Sequence, residues 1–169
     1  MERPAAGQQN AIPCDDADAL FAAYADMVYR LAFLRTKRTQ DAEDVLQDVF
    51  LRCLRRRPVW NDAAHQKAWF LRVTVNCCNS LLTSAFRRHT APEQADAKAV
   101  EMEDNTEVYA AVLRLPDKYR TLVHLFYYEG YGVREIAELL HMPENTVKSH
   151  LFRARDILRN ELKGAYCDV

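Results

Sequence analysis

Apolar residues recur at helical spacing along most of this chain, and the sharpest case runs from Tyr131 to Arg159, YGVREIAELLHMPENTVKSHLFRARDILR. Val133, Ile136, Ala137 and Leu140 fall at i, i+3, i+4 and i+7, one face of a helix. A second stripe follows at Val147, Leu151, Ala154 and Leu158. Between the two, His141, Met142 and Pro143 break the period, and proline is tolerated in the first turn of the next helix, where its missing N–H is no loss. Two short helices joined in this way predict a helix-turn-helix, whose second helix can lie in a DNA major groove.

The rest of the chain is equally helical in pattern. A first helix is expected after Asp15 and Asp16, which suit an N-cap and first turn, with Leu20, Phe21, Tyr24, Val28, Leu31 and Leu34 on its inner side. A second begins near Gln40 and Asp41 and runs to about Arg56, with Ala42, Val45, Leu46, Val49, Cys53 and Leu54 inward, until Pro58 ends it. A third spans roughly 64–83, with Trp69, Val73, Cys77 and Leu81 at helical spacing. Residues 90–107, TAPEQADAKAVEMEDNTE, are acidic and hold little bulky apolar surface to offset the entropy of ordering. Helical pattern then resumes over 107–115 and, after Pro116, over 117–129. The expected fold is all-α: a tail at 1–14, a helical domain at 15–89, an acidic flexible linker at 90–106, and a second helical domain at 107–165 that ends in the helix-turn-helix.

Composition narrows the partners. With 23 Lys and Arg against 24 Asp and Glu, the chain is no general polycation, so any DNA affinity must come from local patches. No apolar run approaches the roughly 18 residues of a membrane span, and the N-terminus lacks the apolar core of a signal peptide, which makes the cytoplasm the expected location. The five cysteines (Cys14, Cys53, Cys77, Cys78 and Cys167) show no CxxC spacing and read as buried small apolar side chains rather than a disulfide framework or zinc site. The histidines are scattered without metal-ligand pairing, and nothing in the chain asks for a metal or a cofactor.

Three surfaces carry candidate chemistry. Removing the apolar stripe from the last helix leaves Glu144, Asn145, Thr146, Lys148, Ser149, His150, Phe152, Arg153 and Arg155 outward, a mixture of phosphate-binding, base-reading and thymine-methyl-contacting side chains. A solvated basic face on a structural helix would present the same charges. Around the third helix, Trp60, Trp69 and Phe70 interleave with Arg72, Asn76 and Asn79, as single-stranded DNA requires for stacking and base-edge bonding. Here Trp69, on the apolar stripe, reads as core. Finally, the second helix is acidic in its first half (Asp41, Glu43, Asp44, Gln47, Asp48) and basic at its end (Arg52, Arg55, Arg56, Arg57). Macrodipole compensation accounts for that polarity, and a protein partner is the functional alternative.

At these residues the chain resembles the extracytoplasmic-function (ECF) sigma factors, the smallest members of the sigma-70 family. DAEDVLQDVF (41–50) is similar to the family segment that docks on the clamp helices of the polymerase β′ subunit. AWFLRVTVN (68–76) resembles its W-L-x-R-I-A-x-N helix, and the stretch LPDKYRTLVHLFYYEGYGVREIAELLHMPENTVKSHLFRAR (115–155) resembles its promoter-binding second domain. The resemblance covers about residues 15–165. It implies that 15–89 is sigma region 2 and 107–165 is region 4. It places Asp44, Gln47 and Asp48 on the clamp, and Trp60, Asn61, His65 and Asn76 at the unpaired minus-ten element. Thr146, Lys148, Ser149, His150, Phe152 and Arg153 then fall on the minus-thirty-five duplex. Implied partners are core RNA polymerase (β′ clamp helices and β flap), promoter DNA and an anti-sigma factor, often membrane-anchored; the implied role involves no bond chemistry.

Three departures from the family pattern stand out. Ser80 takes the place of a common Asp, His141 that of the usual turn Gly, which questions a positive-φ conformation there, and His150 that of a common Arg. Two other functions use the same features differently. A dimeric helix-turn-helix repressor would bind a two-fold operator without polymerase, and a thiol sensor working through Cys77 and Cys78 would need an accessible thiolate.

Overall fold

The computed structural model describes residues 10–87 and 106–166, and all regular structure among them is helical. The linker expected at 90–106 lies outside the described residues except for Thr106, as do positions 1–9 of the expected tail. Two compact units result, one built from α1–α3 and one from α4–α7.

In the first unit, α1 (Ala17–Thr36) begins where Asp16 Oδ1 accepts the Ala19 N–H at 3.0 Å, the N-cap that the acidic pair predicts. Leu20, Val28, Leu31 and Leu34 are buried as expected, but Phe21 is 51% exposed, its ring resting on Phe50 at 5.1 Å. Phe21 sits one position beyond Leu20 and is therefore turned about 100° away from it. Over its last turns α1 is buried on every side, from Leu31 to Thr36. In α2 (Thr39–Arg56), Ala42, Val45, Val49 and Cys53 form the buried stripe, while Leu54 is 44% exposed and Leu46 half-buried, so the inward set is narrower than the pattern predicts. The helix stops at Arg57, which takes a left-handed φ of 47° and bonds back to the Cys53 carbonyl; Pro58 follows.

Asp62 caps α3 (Ala63–Arg87), accepting the His65 N–H at 2.7 Å. Its buried face is Gln66, Phe70, Leu71, Thr74, Val75, Cys77 and Cys78, which corrects the expected Trp69–Val73 stripe: those two side chains are half-buried at its edge. Phe70 is the hub of the unit's core. Tyr24 stacks on it at 4.5 Å, Phe50 tilts against it at 5.4 Å, Trp69 meets it edge-on at 5.1 Å and Trp60 stacks at 6.1 Å. Residues 10–16, expected as tail and helix lead-in, are clasped to this unit. The fully buried Gln66 side chain accepts the Ile12 N–H and donates to the Ile12 carbonyl, the Cys14 thiol donates to the Pro58 carbonyl, and Asp15 pairs with Arg57.

In the second unit, α4 (Thr106–Arg114) leads into α5 (Asp117–Val123), which widens into a π-helical turn over His124–Tyr128. Arg120, 6% exposed, donates from Nη1 to the carbonyls of Leu113 and Leu115 and from Nη2 to Asp117, closing the orphan carbonyls at the end of α4. The helix-turn-helix follows as α6 (Val133–Leu140) and α7 (Glu144–Tyr166). Glu135 reaches back to the Gly132 N–H at 2.6 Å to fix the start of α6. His141 ends it in the left-handed conformation, φ 54° and ψ 47°, so the positive-φ turn questioned by the loss of glycine is kept. Pro143 caps α7, its carbonyl accepting from Thr146 and Val147. Ile136, Ala137, Leu139, Val147, Leu151 and Ala154 close the core.

Candidate polymerase and nucleic-acid interfaces

Asp44, Gln47 and Asp48 share one face of α2, being spaced i, i+3, i+4, and Asp44 and Gln47 are exposed. Asp48 is held more firmly than its neighbours. Arg52 grips it with two bonds, Nε to Oδ1 at 3.1 Å and Nη2 to Oδ2 at 2.8 Å, and the Cys77 thiol adds a third. Partial burial works to raise the Asp48 pKa, but these bonds and the charges of Arg52 and Arg55 outweigh it and hold the carboxyl below its usual range. Leu51 and Leu54, both exposed, continue the acidic face by one and two turns. A groove beside it is lined by Asp44, Val45, Asp48, Cys77, Ser80, Leu81 and Ser84. The apolar continuation escaped the sequence pattern because Leu54 reads as core; Ser80, by contrast, stands on the groove wall with its hydroxyl bonded to the Asn76 carbonyl at 3.1 Å.

The second candidate surface combines the 57–62 loop with α3. Trp60 is half-buried between Trp69 (5.8 Å) and Phe70, with its indole Nε1 enclosed and unpartnered. It is the loop's anchor in the core more than an open stacking platform. Asn61 and His65 are exposed and joined, the Asn61 N–H donating to His65 Nδ1 at 3.2 Å. Down α3, His65, Trp69, Arg72 and Asn76 lie at spacings of four, three and four, a single strip about 16 Å long, and Arg72 and Asn76 are exposed along it. Arg72 thus joins His65 and Asn76 on the strip, while Trp60 and Asn61 stand in the loop before it. Asn79 does not, since its Oδ1 accepts from the buried Arg35 at 2.6 Å.

On α7, Lys148, Ser149, Phe152 and Arg153 form one exposed patch, with Phe152 70% exposed. Phe152 thus presents an open phenyl ring on an otherwise polar helix face. Thr146 is half-buried at the patch's N-terminal edge, and its carbonyl accepts the Ser149 hydroxyl at 3.0 Å. His150 points elsewhere: its ring meets Tyr119 of α5 edge-on at 5.3 Å with Nδ1 enclosed and unpartnered. Burial, then the nearby charges of Lys118 and Arg153, lower its pKa. The structure thus groups four of the six candidate residues and turns one away.

Among the described residues no group of His, Cys, Asp and Glu is placed to hold a metal ion, and no helix is long and apolar enough to cross a membrane. Cys77 and Cys78 are both buried, and burial together with the Asp48 contact pushes the Cys77 thiol up to about 12, which removes the accessible thiolate that a sensor at this pair would need.

Comparisons with known proteins agree with this layout. The family model for sigma-70 region 2 matches residues 20–88 and that for sigma-70 region 4 matches residues 105–158. The ECF RNA polymerase sigma factor SigM of Mycobacterium tuberculosis is 34% identical over 143 residues, covering 82% of this chain and 72% of SigM. SigW of Bacillus subtilis, another ECF sigma factor, is 26% identical over 163 residues, covering 83% and 85%. In fold the chain is similar to the sigma factor RpoE from Bartonella quintana, solved with the anti-sigma factor NepR (TM-score 0.69, 19% identity, 88% of this chain and 98% of that one). It is also similar to CnrH, solved with the cytosolic domain of CnrY (TM-score 0.61, 18% identity, 89% of each). With a region 2 unit that displays an acidic α2 face and an α3 strip, and a region 4 unit that displays the α7 patch, the chain belongs to the ECF sigma factors of the sigma-70 family.

Proposed function

We propose that this sigma factor divides promoter recognition among the three surfaces described above. Asp44, Gln47 and Asp48 dock the first unit on the β′ clamp helices of core polymerase. Asn76, with Asn61, His65 and the Trp60-anchored loop, receives a base of the non-template strand at the minus-ten element. Lys148, Ser149, Phe152 and Arg153 read the minus-thirty-five duplex, with Thr146 and His150 bordering the patch. The second unit also meets the β flap, and the linker runs along polymerase towards the RNA exit path. The chain supplies contacts and no catalysis; polymerase makes the bonds.

The observation that carries this reading is the sorting of exposed side chains in one chain: carboxylates on α2, an Asn–Arg strip on α3, and a Lys–Ser–Phe–Arg patch on the recognition helix. Unpairing a base costs a few kcal/mol, so the free chain binds promoter DNA weakly and works as holoenzyme. An anti-sigma factor that covers the α2 face would silence it, in the cytoplasm or at the inner face of the membrane. The test is co-purification with bacterial core polymerase. Wild type is retained and Asp44→Arg is lost; a wild type that fails to bind core while binding a two-fold operator as a dimer sinks the proposal.

A further inference from the structure

Residues 13–16 form a tight turn, closed by the Asp16 N–H on the Pro13 carbonyl at 3.1 Å, and its two middle residues reach the 57–62 loop. The Cys14 thiol donates to the Pro58 carbonyl at 3.1 Å, and Asp15 pairs with Arg57. The turn is itself fastened at both ends. Ahead of it, the fully buried Gln66 carboxamide takes both backbone groups of Ile12, accepting its N–H at 3.0 Å and donating to its carbonyl at 2.8 Å. The Tyr24 hydroxyl donates to the same Gln66 oxygen at 3.0 Å. Behind the turn, Asp16 caps α1 through the Ala19 N–H. A strap fixed to α3 and to α1 thus touches the entry of the loop at two successive residues.

The far side of the loop is held from α3. Trp60 lies against Trp69 and Phe70, and the Asn61 N–H donates to His65 Nδ1. At the entry, Arg57 takes a left-handed φ of 47°, and Pro58 has no N–H, so its carbonyl is that residue's one backbone hydrogen-bonding group. Between the two holds, Val59 stands 88% exposed. We propose that residues 12–15 are a positioning strap for this loop. Cys14 and Asp15 fix its entry, so that Val59 and Asn61 are already placed when the unpaired minus-ten strand arrives.

Holding a loop in its binding conformation cuts the ordering entropy that strand capture would otherwise cost. An exposed ion pair and a thiol hydrogen bond add little to the stability of the unit, so their loss shows in the loop before it shows in unfolding. The strap's effect on the promoter rests on the role proposed for this loop above; its hold on the loop does not.

The test compares two full-length variants. Cys14→Ala combined with Asp15→Ala removes both loop contacts and leaves the Gln66 clasp, whereas Cys14→Ser keeps a hydroxyl that can donate to Pro58. Hydrogen exchange of the 59–61 amides should quicken severalfold in the double variant and keep the wild-type rate in Cys14→Ser, with the urea midpoint unchanged in both. Wild-type exchange in the double variant overturns the strap, and a collapsed midpoint overturns it by making the contacts structural. In reconstituted holoenzyme at saturating promoter, the double variant should lower permanganate reactivity of minus-ten thymines severalfold while affinity for core polymerase and for upstream duplex stays as in wild type. Cys14→Ser should open as wild type does. Removing a carboxylate beside DNA would by charge alone favour opening, so a fall reads lost position. Fast loop exchange with normal opening overturns the positioning role. Wild-type holoenzyme that opens no promoter overturns the functional reading instead, and the exchange rates still decide whether the strap holds the loop.

Discussion

Arg52 grips both carboxylate oxygens of Asp48 from one turn away, at 3.1 and 2.8 Å, in the middle of the face assigned to polymerase. Part of the negative charge on that face is therefore neutralised within the helix, while Asp44 stands exposed. Arg52→Ala should unmask Asp48 at little structural cost: the pair is close to half exposed on both sides, so its loss is worth no more than about 0.5 kcal/mol of stability. The expectation is unchanged urea unfolding with stronger salt dependence of core polymerase binding. An Arg52→Ala protein whose unfolding midpoint collapses would show the pair to be structural instead.

His141 turns the helix-turn-helix in a left-handed conformation that a side chain adopts at a cost of about 1–2 kcal/mol. Glycine pays no such penalty, although it gives back some of the gain as unfolded-chain entropy. His141→Gly should therefore stabilise the second unit by about 0.5–1 kcal/mol, read as a rise in thermal midpoint, with the exposed α7 patch untouched.

His150 gives the fold a pH response. Its pKa lies below the ordinary 6.5 because burial against Tyr119 and the charges of Lys118 and Arg153 disfavour the imidazolium. The unfolded chain binds the proton more readily, so this contribution to stability is complete above about pH 6.5 and is lost as pH falls through the lower folded value. Denaturant titrations at pH 7.5 and 5.5 should show wild type losing stability on acidification, and His150→Gln losing less. An identical loss in both would place the acid sensitivity elsewhere.

Much of this was legible beforehand, and the exceptions have physical reasons. The helices, the Asp16 cap and the helix-turn-helix follow from spacing and capping chemistry, which are local. What spacing could not locate was the edge of each stripe: Phe21 and Leu54 are apolar neighbours of true core positions that face out, and the α3 core runs through Phe70 and Thr74 instead of Trp69 and Val73. Nor does any local signal reveal contacts made by distant residues. The Gln66 clasp on Ile12 spans 54 positions, and the Cys14 bond to Pro58 spans 44. The outward direction of His150 failed for the same reason, because its partner Tyr119 belongs to another helix.

Arg153 and Asn76 test the two proposed DNA contacts separately. Arg153 sits in the exposed α7 patch, with no place in the core of its unit, so Arg153→Ala should weaken binding to upstream duplex by about 1–3 kcal/mol while unfolding and polymerase binding stay as they were. Asn76 lies on the α3 strip, its side chain exposed and its carbonyl taken by Ser80, so Asn76→Ala should leave duplex affinity and stability intact. Its effect should fall on strand opening alone, because only an unpaired base would present the edge that Asn76 is proposed to meet. Filter binding of upstream duplex and permanganate reactivity of minus-ten thymines, both on reconstituted holoenzyme, read the two steps apart. Arg153→Ala should lose the first signal and recover opening at high promoter concentration, whereas Asn76→Ala should keep the first and lose the second at any concentration. If both variants failed equally in both assays, α3 and α7 would not divide the promoter as proposed.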